Sequence, residues 1–368
     1  MIGLALSGGG SRAMAFHLGC LRALKDLGLL DKVSAISTIS GGSVIGAYYA
    51  YTQEKTFDEF EQDIRKQLHK GFQNGMMLRA ANPINVTRGL WNAAVDSYDL
   101  TREKIFHGKP KVRLGRTRTD LLRGVLQKRL FEGKTMSSPR RGNMHVVIGA
   151  ADLPTESGFR FGEADAGSWR LGRLVDGNVD VALAVAASAA YPIFLPAIGK
   201  RWRFKANDGT ITERRVLLTD GGIYDNLGFR VFLPGRDPKV SIHNFPCEYM
   251  IACNAGHGLA GGNNAPNRFY GRVETSFSMV HRLVGNGAMH ELHQHKDANR
   301  IKAFILPYLG QQDSKLPARP ADLVPREEVM DYPTNFGAMP EESVNALSTR
   351  GLQLTELLAR EHLAELLS

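Results

Sequence analysis

The 368-residue sequence predicts an α/β fold in which a mostly parallel central sheet is covered by helices on both faces. The apolar stretch "IGLALS" runs into three glycines and then into the helix-spaced "AMAFHLGCLRALKDLG". A second, β-branched strand "KVSAISTIS" leads through a glycine pair into the helical "SVIGAYYAYTQ". Strands that alternate with helices in this way are typical of parallel sheets, and "EYMIACNAG" and "IKAFILPYL" add two more buried strands.

The remaining elements follow in chain order. An amphipathic helix "TFDEFEQDIRKQLHKG" precedes an irregular basic region that extends to about Gly142. A strand pair, "MHVVIGAADL" and "SGFRFGEA", comes next, and Pro192 ends a helix of small residues. The strand in "ERRVLLTDGG" then enters a glycine turn, and the last segment, "VNALSTRGLQLTELLAREHLAELL", is helical.

Composition excludes several classes of protein. Three cysteines without CxxC spacing predict neither a disulfide framework nor a zinc ribbon. The first residues lack the basic region of a signal peptide, and no apolar run approaches the roughly 20 residues that span a bilayer. We therefore expect a cytoplasmic protein without metal or cofactor, either soluble or peripheral on the inner face of the membrane.

The net charge of +9 is concentrated between Arg102 and Arg141, where thirteen Lys or Arg accompany three acidic residues. Part of this segment, "LLRGVLQKRLF", has the spacing of a basic amphipathic helix. A solvated helix and a surface for anionic lipid both fit this pattern, whereas nucleic acid fits poorly because aromatic stacking residues are missing. The residues expected to bind the membrane are Arg116, Arg118, Arg123 and Lys128.

The stretch "STISGGSVIGAYYA" suggests a nucleophilic serine. A nucleophile on a sharp strand-to-helix turn needs small neighbours and gains from the helix N-terminus. Gly41 and Gly42 precede Ser43, whereas Ser37 and Ser40 are predicted to lie within the strand. The sequence therefore predicts Ser43 as the nucleophile, although a serine in this setting is often only a helix cap.

The first glycine loop predicts an oxyanion hole. It also matches G-x-G-x-x-A, but the second strand lacks the acid that a dinucleotide site requires, and no Gly-Lys-Ser/Thr follows for a P-loop. What remains is a row of backbone N–H groups at a helix start, which suits a developing oxyanion. The predicted donors are Gly8, Gly9, Gly10, Ser11 and Val44.

A carboxylate at a third strand end supplies a candidate proton acceptor. Asp220 ends an apolar strand and is followed by Gly221 and Gly222, which allow a tight turn. An Asp-Gly-Gly sequence is by itself more often only a turn. Its position at a strand end favours a functional role.

Together these motifs resemble the patatin-like phospholipases. The matches occur in order, and they comprise Gly8-Gly9-Gly10-Ser11-Arg12, Gly41-Gly42-Ser43, "ASAAYPIFLP", and Asp220-Gly221-Gly222 with "IYDNLG". The resemblance implies a three-layer α/β/α fold and a lipid acyl hydrolase of the phospholipase A or lysophospholipase type, with a Ser43–Asp220 dyad. It implies a catalytic core over residues 1–255 with a cap-like segment at about 55–142, and a helical extension over 256–368. Ser7, Ala13 and Ile45 depart from the family pattern.

Other hypotheses stay open. Chain order permits a Ser-Asp-His triad with His257, and a catalytically silent lipid-binding module is a further alternative. Arg12 could brace the glycine loop or meet a phosphate. The "HELHQH" segment falls one residue short of a zinc motif. The lipid and the oligomeric state stay undetermined.

Overall fold

The computed structural model describes residues 1–80, 117–163, 165–192, 194–257 and 268–367. The predicted strand–glycine–helix order of the first fifty residues is confirmed, as are the helix after Thr56 and the C-terminal helix. The strands are β1 (Ile2–Leu6), β2 (Val33–Ile39), β3 (His145–Asp152), β4 (Ser157–Phe161), β5 (Ala166–Ser168), β6 (Gly172–Leu174), β7 (Ile198–Lys205), β8 (Ile211–Asp220), β9 (Tyr249–Cys253) and β10 (Ala303–Ile305). The described helices are α1 (Gly10–Asp26), α2 (Gly41–Tyr51), α3 (Phe57–Lys70), α4 (Phe72–Ala80), α5 (Arg118–Arg129), α6 (Val181–Ser188), α7 (Gly222–Asp225), α8 (Phe269–Asp297), α9 (Arg326–Val329) and α10 (Glu341–His362).

The predicted fold class is wrong, because most strand pairings are antiparallel. Strands β10, β9, β1, β2 and β3 pair in parallel in that order. From β3 onward every pairing is antiparallel, and β8 returns to pair with β3, so that β3 to β8 close into a six-stranded ring. The short links at residues 153–156, 169–171 and 206–210 explain this, since a parallel crossover needs a dozen or more residues.

Strand β3 joins the two halves of the sheet. It pairs in parallel with β2 and in antiparallel fashion with β4 and β8, and Ala150 lies opposite Asp220. The end of β8 is thereby placed beside the ends of β1 and β2. The carboxyl ends of parallel strands are where α/β proteins assemble their sites.

The parallel half is buried on both faces, which explains its nearly continuous apolar sequences. In β1, Leu4 and Leu6 belong to one hydrophobic core, whereas Ala5 between them belongs to another. The first core includes α1, α2 and α10, and the second includes Phe229, Phe232 and residues of α8. This alternation follows the two-residue period of a strand.

The C-terminal helix α10 packs closely along α1. A Cβ added to Gly19 of α1 would overlap the carbonyl of Ser348, and one added to Gly351 of α10 would overlap the carbonyl of Phe16. Glycine at these two positions therefore lets the helix backbones touch. Because α1 begins at the glycine loop, α10 helps to fix that loop in place.

Among the described residues, no helix combines the length and the apolar character that crossing a bilayer would require.

Candidate active site

Ser40, and not Ser43, occupies the turn between β2 and α2. Strand β2 ends at Ile39 and α2 begins at Gly41. Ser40 between them has φ 52° and ψ −119°, a backbone conformation that non-glycine residues adopt rarely and at a cost of about 1–3 kcal/mol. Strain of this kind at a strand-to-helix turn is typical of a nucleophile elbow. The expected placement of Ser43 on the elbow is therefore corrected.

Ser43 lies inside the first turn of α2 and is fully buried. Its Oγ is 2.9 Å from the Oγ of Ser188, the last residue of α6. The same Ser188 Oγ accepts the backbone N–H of Ser40 at 2.9 Å. Ser43 and Ser188 thus form a buried pair of hydroxyls, and Ser188 links this pair to the backbone of Ser40.

Glycines allow the elbow to approach the first loop. A Cβ on Gly41 would overlap the carbonyl of Gly10, and a Cβ on Gly42 would overlap the carbonyl of Leu6. The predicted supporting role of these two glycines is structural, because only a residue without a side chain permits both contacts.

Asp220 ends β8 and is 2% exposed. Its backbone N–H donates to the carbonyl of Ala190 at 3.0 Å, and its Oδ1 accepts the N–H of Gly222 at 2.8 Å. Burial raises the pKa of this carboxyl to about 6, against the opposing effect of hydrogen bonds from Gly222 and from the side chain of Ser40. The structure therefore brings Ser40 and Asp220 together at the ends of β2 and β8, the strands on either side of β3.

The glycine loop lies beside Ser40. A Cβ on Gly8 would stand 3.2 Å from the Cβ of Ser40, and Gly9 and Gly10 have φ values of 143° and 59°, which favour glycine. These positions suit the predicted oxyanion donors. Ser11 and Val44 suit them less, since the Ser11 N–H already donates to the Asn335 carbonyl at 2.7 Å and the Val44 N–H to the Ser40 carbonyl at 3.3 Å.

The amide of Gly41 is a donor that the sequence analysis missed. It directly follows Ser40 and is the first residue of α2, where helical N–H groups have no intrahelical acceptor. In elbow hydrolases the residue after the nucleophile supplies one oxyanion donor. The signal was present in the sequence, because Gly42 stands two residues after Ser40, where G-x-S-x-G has its second glycine.

Arg12 braces the loop. Its Nε donates to the Ala255 carbonyl at 3.0 Å and its Nη1 to the Tyr332 carbonyl at 2.8 Å. The side chain is almost fully buried, and burial lowers its pKa to about 9. Arg12 thereby ties the start of α1 to the segment after β9 and to the C-terminal region.

His257 does not face Asp220. Its ring contacts the Arg12 guanidinium, and its Nδ1 is 2.6 Å from the Met330 carbonyl. Burial and the charge of Arg12 lower its pKa to about 4. The structure therefore does not assemble the triad that chain order permits.

A histidine that the sequence analysis missed lies near Asp220. His281 of α8 is placed so that a Cβ added to Gly222 would overlap its Nε2, and Gly222 directly contacts Asp220. Burial and the charge of Arg12 lower the pKa of His281 to about 4. No motif marked this residue, since it is brought to the site only by the packing of a distant helix.

Metal ligation is limited in the part of the chain that is described. In "HELHQH", His290 and His293 are exposed on α8, and His290 contacts Gln294 at 3.0 Å. The only described cluster of ligating side chains comprises His17, Cys20 and Cys253, whose donor atoms lie within 4.8 Å of one another. All three residues are buried in the core, and the Nε2 of His17 hydrogen-bonds the Ser7 carbonyl at 3.0 Å.

The basic segment is only partly described. Arg116 lies outside the described residues, whereas Arg118 and Lys128 are exposed on α5. Arg123 forms an ion pair with Asp180. Leu122 and Leu126 are fully buried, so the apolar side of this helix packs on the core and leaves its cations for the surface.

Comparisons with known proteins agree with this architecture. Residues 4–233 match the model of the patatin-like phospholipase family. No curated protein matches the chain by sequence. Human GIVD cytosolic phospholipase A2 is similar in structure, with a TM-score of 0.52 and 14% identity over 100% of this chain and 62% of that chain. Its complex with methyl gamma-linolenyl fluorophosphonate gives a TM-score of 0.53 at 14% identity, over 100% of this chain and 58% of the other.

VipD from Legionella pneumophila matches more weakly, with a TM-score of 0.40 and 15% identity over 98% of this chain and 67% of that chain. The present chain thus spans about three fifths of the human structures. The family match covers more than half of the chain and includes the glycine loop, the elbow and Asp220. The chain belongs to the patatin-like phospholipase family.

Proposed function

We propose that this protein is a lipid acyl hydrolase that cleaves carboxylic esters through a dyad of Ser40 and Asp220. The observation that carries the proposal is the strained backbone of Ser40 at the β2–α2 turn, with the buried carboxylate of Asp220 close to its side chain. Ser43, the serine first expected in this role, has its hydroxyl committed to Ser188 within the core.

The chemistry follows from these positions. The Ser40 Oγ attacks the ester carbonyl carbon while its proton passes to Asp220. The tetrahedral intermediate collapses, the C–O bond to the alcohol breaks, and Asp220 protonates the departing alkoxide. Water then attacks the acyl-serine, Asp220 takes a proton from it, and the fatty acid leaves as the proton returns to Ser40.

The raised pKa of Asp220 supports this role. A carboxylate with a pKa near 6 is a stronger base than one with the usual value near 4, yet it is still ionised at neutral pH. An ester also needs a weaker base than an amide, because an alkoxide leaves more readily than an amine.

The oxyanion would be stabilised by backbone amides of the glycine loop and of Gly41. These donors lie on both sides of Ser40, at the starts of α1 and α2. Each such donor contributes about 2.7–4 kcal/mol to transition-state stabilisation where it has been measured. Arg12 acts in this scheme as a brace for the loop.

The proposed substrates are phospholipids or lysophospholipids, reached by a peripheral protein at the membrane surface. The family match and the resemblance to a phospholipase in complex with a lipid-like fluorophosphonate support a lipid ester as substrate. A silent lipid-binding module is the competing hypothesis. It predicts no turnover by the wild-type protein.

The decisive experiment uses methyl gamma-linolenyl fluorophosphonate as the probe, with peptide mass spectrometry to locate the label. We expect stoichiometric label on Ser40 in the wild type and none in Ser40→Ala. Ser43→Ala should still be labelled at position 40. Label on Ser43 in the wild type, with Ser40 unmodified, would overturn the dyad, and hydrolysis of p-nitrophenyl butyrate tests for a silent module.

A further inference from the structure

Helix α8 has two faces with different partners. On its inner face Ala288 and Leu292 are buried in the second core, and His281 lies over the Gly222 turn. Positions 281, 285, 288 and 292 have the spacing that places residues on one side of an α-helix. One side of α8 is thus held against the sheet and the candidate site.

The opposite face is apolar and exposed. Met279, Val280 and Leu283 are 57%, 54% and 72% exposed. Positions 272, 276, 279 and 283 again follow helical spacing, so Arg272 shares this stripe with Met279 and Leu283. Single exposed apolar residues are ordinary on a surface, but three large ones side by side on one helix face indicate an interaction site. We name the exposed set of Arg272, Met279, Val280 and Leu283 the outer stripe of α8.

Cations surround the outer stripe. Arg268, Arg272 and Arg282 are exposed. From position 268 to position 290 the sequence has these three arginines and a single acidic residue, Glu274. A helix with exposed large apolar residues next to exposed cations has the composition of an interfacial helix. A protein partner would require a matching apolar groove, whereas a lipid surface supplies both acyl chains and negative charge.

We propose that the outer stripe of α8 binds an anionic phospholipid surface. Binding there would place α8 on the bilayer, with His281 facing the Gly222 turn next to Asp220 and Leu283 facing the lipid. The choice of lipid as partner rests on the proposed function. The binding itself is independent of catalysis and can be measured without it.

The test uses the full-length protein in a Ser40→Ala background, so that vesicles are not consumed, and measures co-sedimentation with vesicles. One vesicle set contains phosphatidylcholine alone and the other contains phosphatidylcholine with phosphatidylglycerol. Leu283→Asp should weaken binding to the anionic vesicles about tenfold or more, because an apolar side chain can no longer enter the interface. Arg272→Glu should weaken it as well, and added salt should reduce the remaining preference for anionic lipid.

Two matched controls separate the stripe from general effects. Ile211→Asp changes an apolar residue of similar exposure at the start of β8, and Arg319→Glu reverses an exposed cation elsewhere. Both should bind vesicles as the parent does. Equal binding by Leu283→Asp and by the parent would overturn the proposal. A dimer in solution that Leu283→Asp dissociates would also overturn it, in favour of a second copy as the partner.

Hydrolysis of p-nitrophenyl butyrate by the same variants with Ser40 restored separates the two proposals. Leu283→Asp should hydrolyse this soluble ester at the wild-type rate. Vesicle binding that depends on the stripe, combined with no turnover by the wild type, would contradict the proposed function and leave the lipid-binding surface supported.

Discussion

The Oγ of Ser188 accepts the backbone N–H of Ser40 at 2.9 Å. This bond joins the end of α6 to the strained turn that presents the candidate nucleophile, and the backbone of Ser188 also accepts the Gly221 N–H at 3.3 Å. One residue therefore connects the elbow with the turn that follows Asp220. The relative placement of the two proposed catalytic groups depends on it.

Ser188→Ala should lower the rate of fluorophosphonate labelling about tenfold to a hundredfold while the protein remains folded. The Ser40 N–H would lose its acceptor, so the unfavourable backbone conformation at Ser40 would be less well supported. Ser43→Ala is the matched control, because it removes the other partner of Ser188 but leaves the bond to Ser40 intact. If the labelling rate of Ser43→Ala fell as far as that of Ser188→Ala, the hydrogen bond between Ser40 and Ser188 would not be the contact that sets the labelling rate.

Gly41→Ala should abolish labelling and lower the melting temperature. The added Cβ would overlap the carbonyl of Gly10, and both are backbone positions that no side-chain rotation can relieve. Gly287→Ala provides the comparison, since no atom lies within 4 Å of its added Cβ and alanine favours a helix by about 1 kcal/mol. Circular dichroism melts should show the first variant destabilised and the second unchanged or stabilised.

The difference between Ser40 and Ser43 shows what the sequence could predict about the site. Apolar periodicity located β2 and α2 to within a few residues, and the three strand-end motifs converge as expected. The helix was expected to begin at Ser43 but begins two residues earlier, at Gly41, and this small error was enough to place Ser43 instead of Ser40 at the turn. The pattern "TISGG" favours Ser40 as the elbow residue. In G-x-S-x-G a glycine stands two residues after the serine, and Gly42 has this position relative to Ser40, whereas Ile45 has it relative to Ser43.

The sheet was mispredicted for a different reason. Strand β3 and the second half of β8 are rich in apolar residues, as β1 and β2 are, and such strands look alike whether their neighbours are parallel or antiparallel. Connection length was the available discriminator, as the links at residues 153–156, 169–171 and 206–210 are too short for a helical crossover. The position of His281 could not be predicted, since it depends on how α8 packs after a long sequence separation.

His257→Ala should retain most of the activity on a soluble ester. Its ring contacts Arg12 and the Met330 carbonyl, so its removal loosens a brace and leaves the Ser40–Asp220 pair in place. We expect a modest loss of esterase activity in steady-state assays and a lower melting temperature in thermal scans. Complete inactivation of a folded His257→Ala protein would instead restore the triad hypothesis.

Reversing the exposed cations of α5 should weaken vesicle binding without affecting soluble-ester turnover. Arg118 and Lys128 are exposed, and each cation near an anionic bilayer contributes on the order of 1 kcal/mol before screening. The double variant Arg118→Glu/Lys128→Glu should therefore bind anionic vesicles less tightly, most clearly at low salt. Arg123→Glu is unsuitable for this purpose, because Arg123 pairs with Asp180 and its reversal would disturb the fold. If vesicle binding is the same for the double variant and the wild type and does not change with salt, α5 is only a solvated helix.

Asp220→Asn should remove activity and at the same time stabilise the protein at neutral and alkaline pH. Burial raises the pKa of this carboxyl from 3.8 to about 6, so the folded state pays a penalty for ionising it. A shift of this size corresponds to about 2–3 kcal/mol. Asparagine keeps an acceptor for the Gly222 N–H but carries no charge.

The signs of the two pH dependences are opposite, and together they test the role of Asp220. The stability that the protonated carboxyl provides is fully present below the unfolded pKa and is lost as pH rises through about 6. The gain in unfolding free energy of Asp220→Asn over the wild type, measured in denaturant melts, should therefore grow from about pH 3.8 to about pH 6 and level off above it. Wild-type kcat/KM on a soluble ester should rise with a midpoint near pH 6, because only the ionised Asp220 carboxylate can accept the Ser40 proton. If Asp220→Asn shows the expected gain in stability but the wild-type activity has no transition near pH 6, Asp220 has a raised pKa and is not the catalytic base.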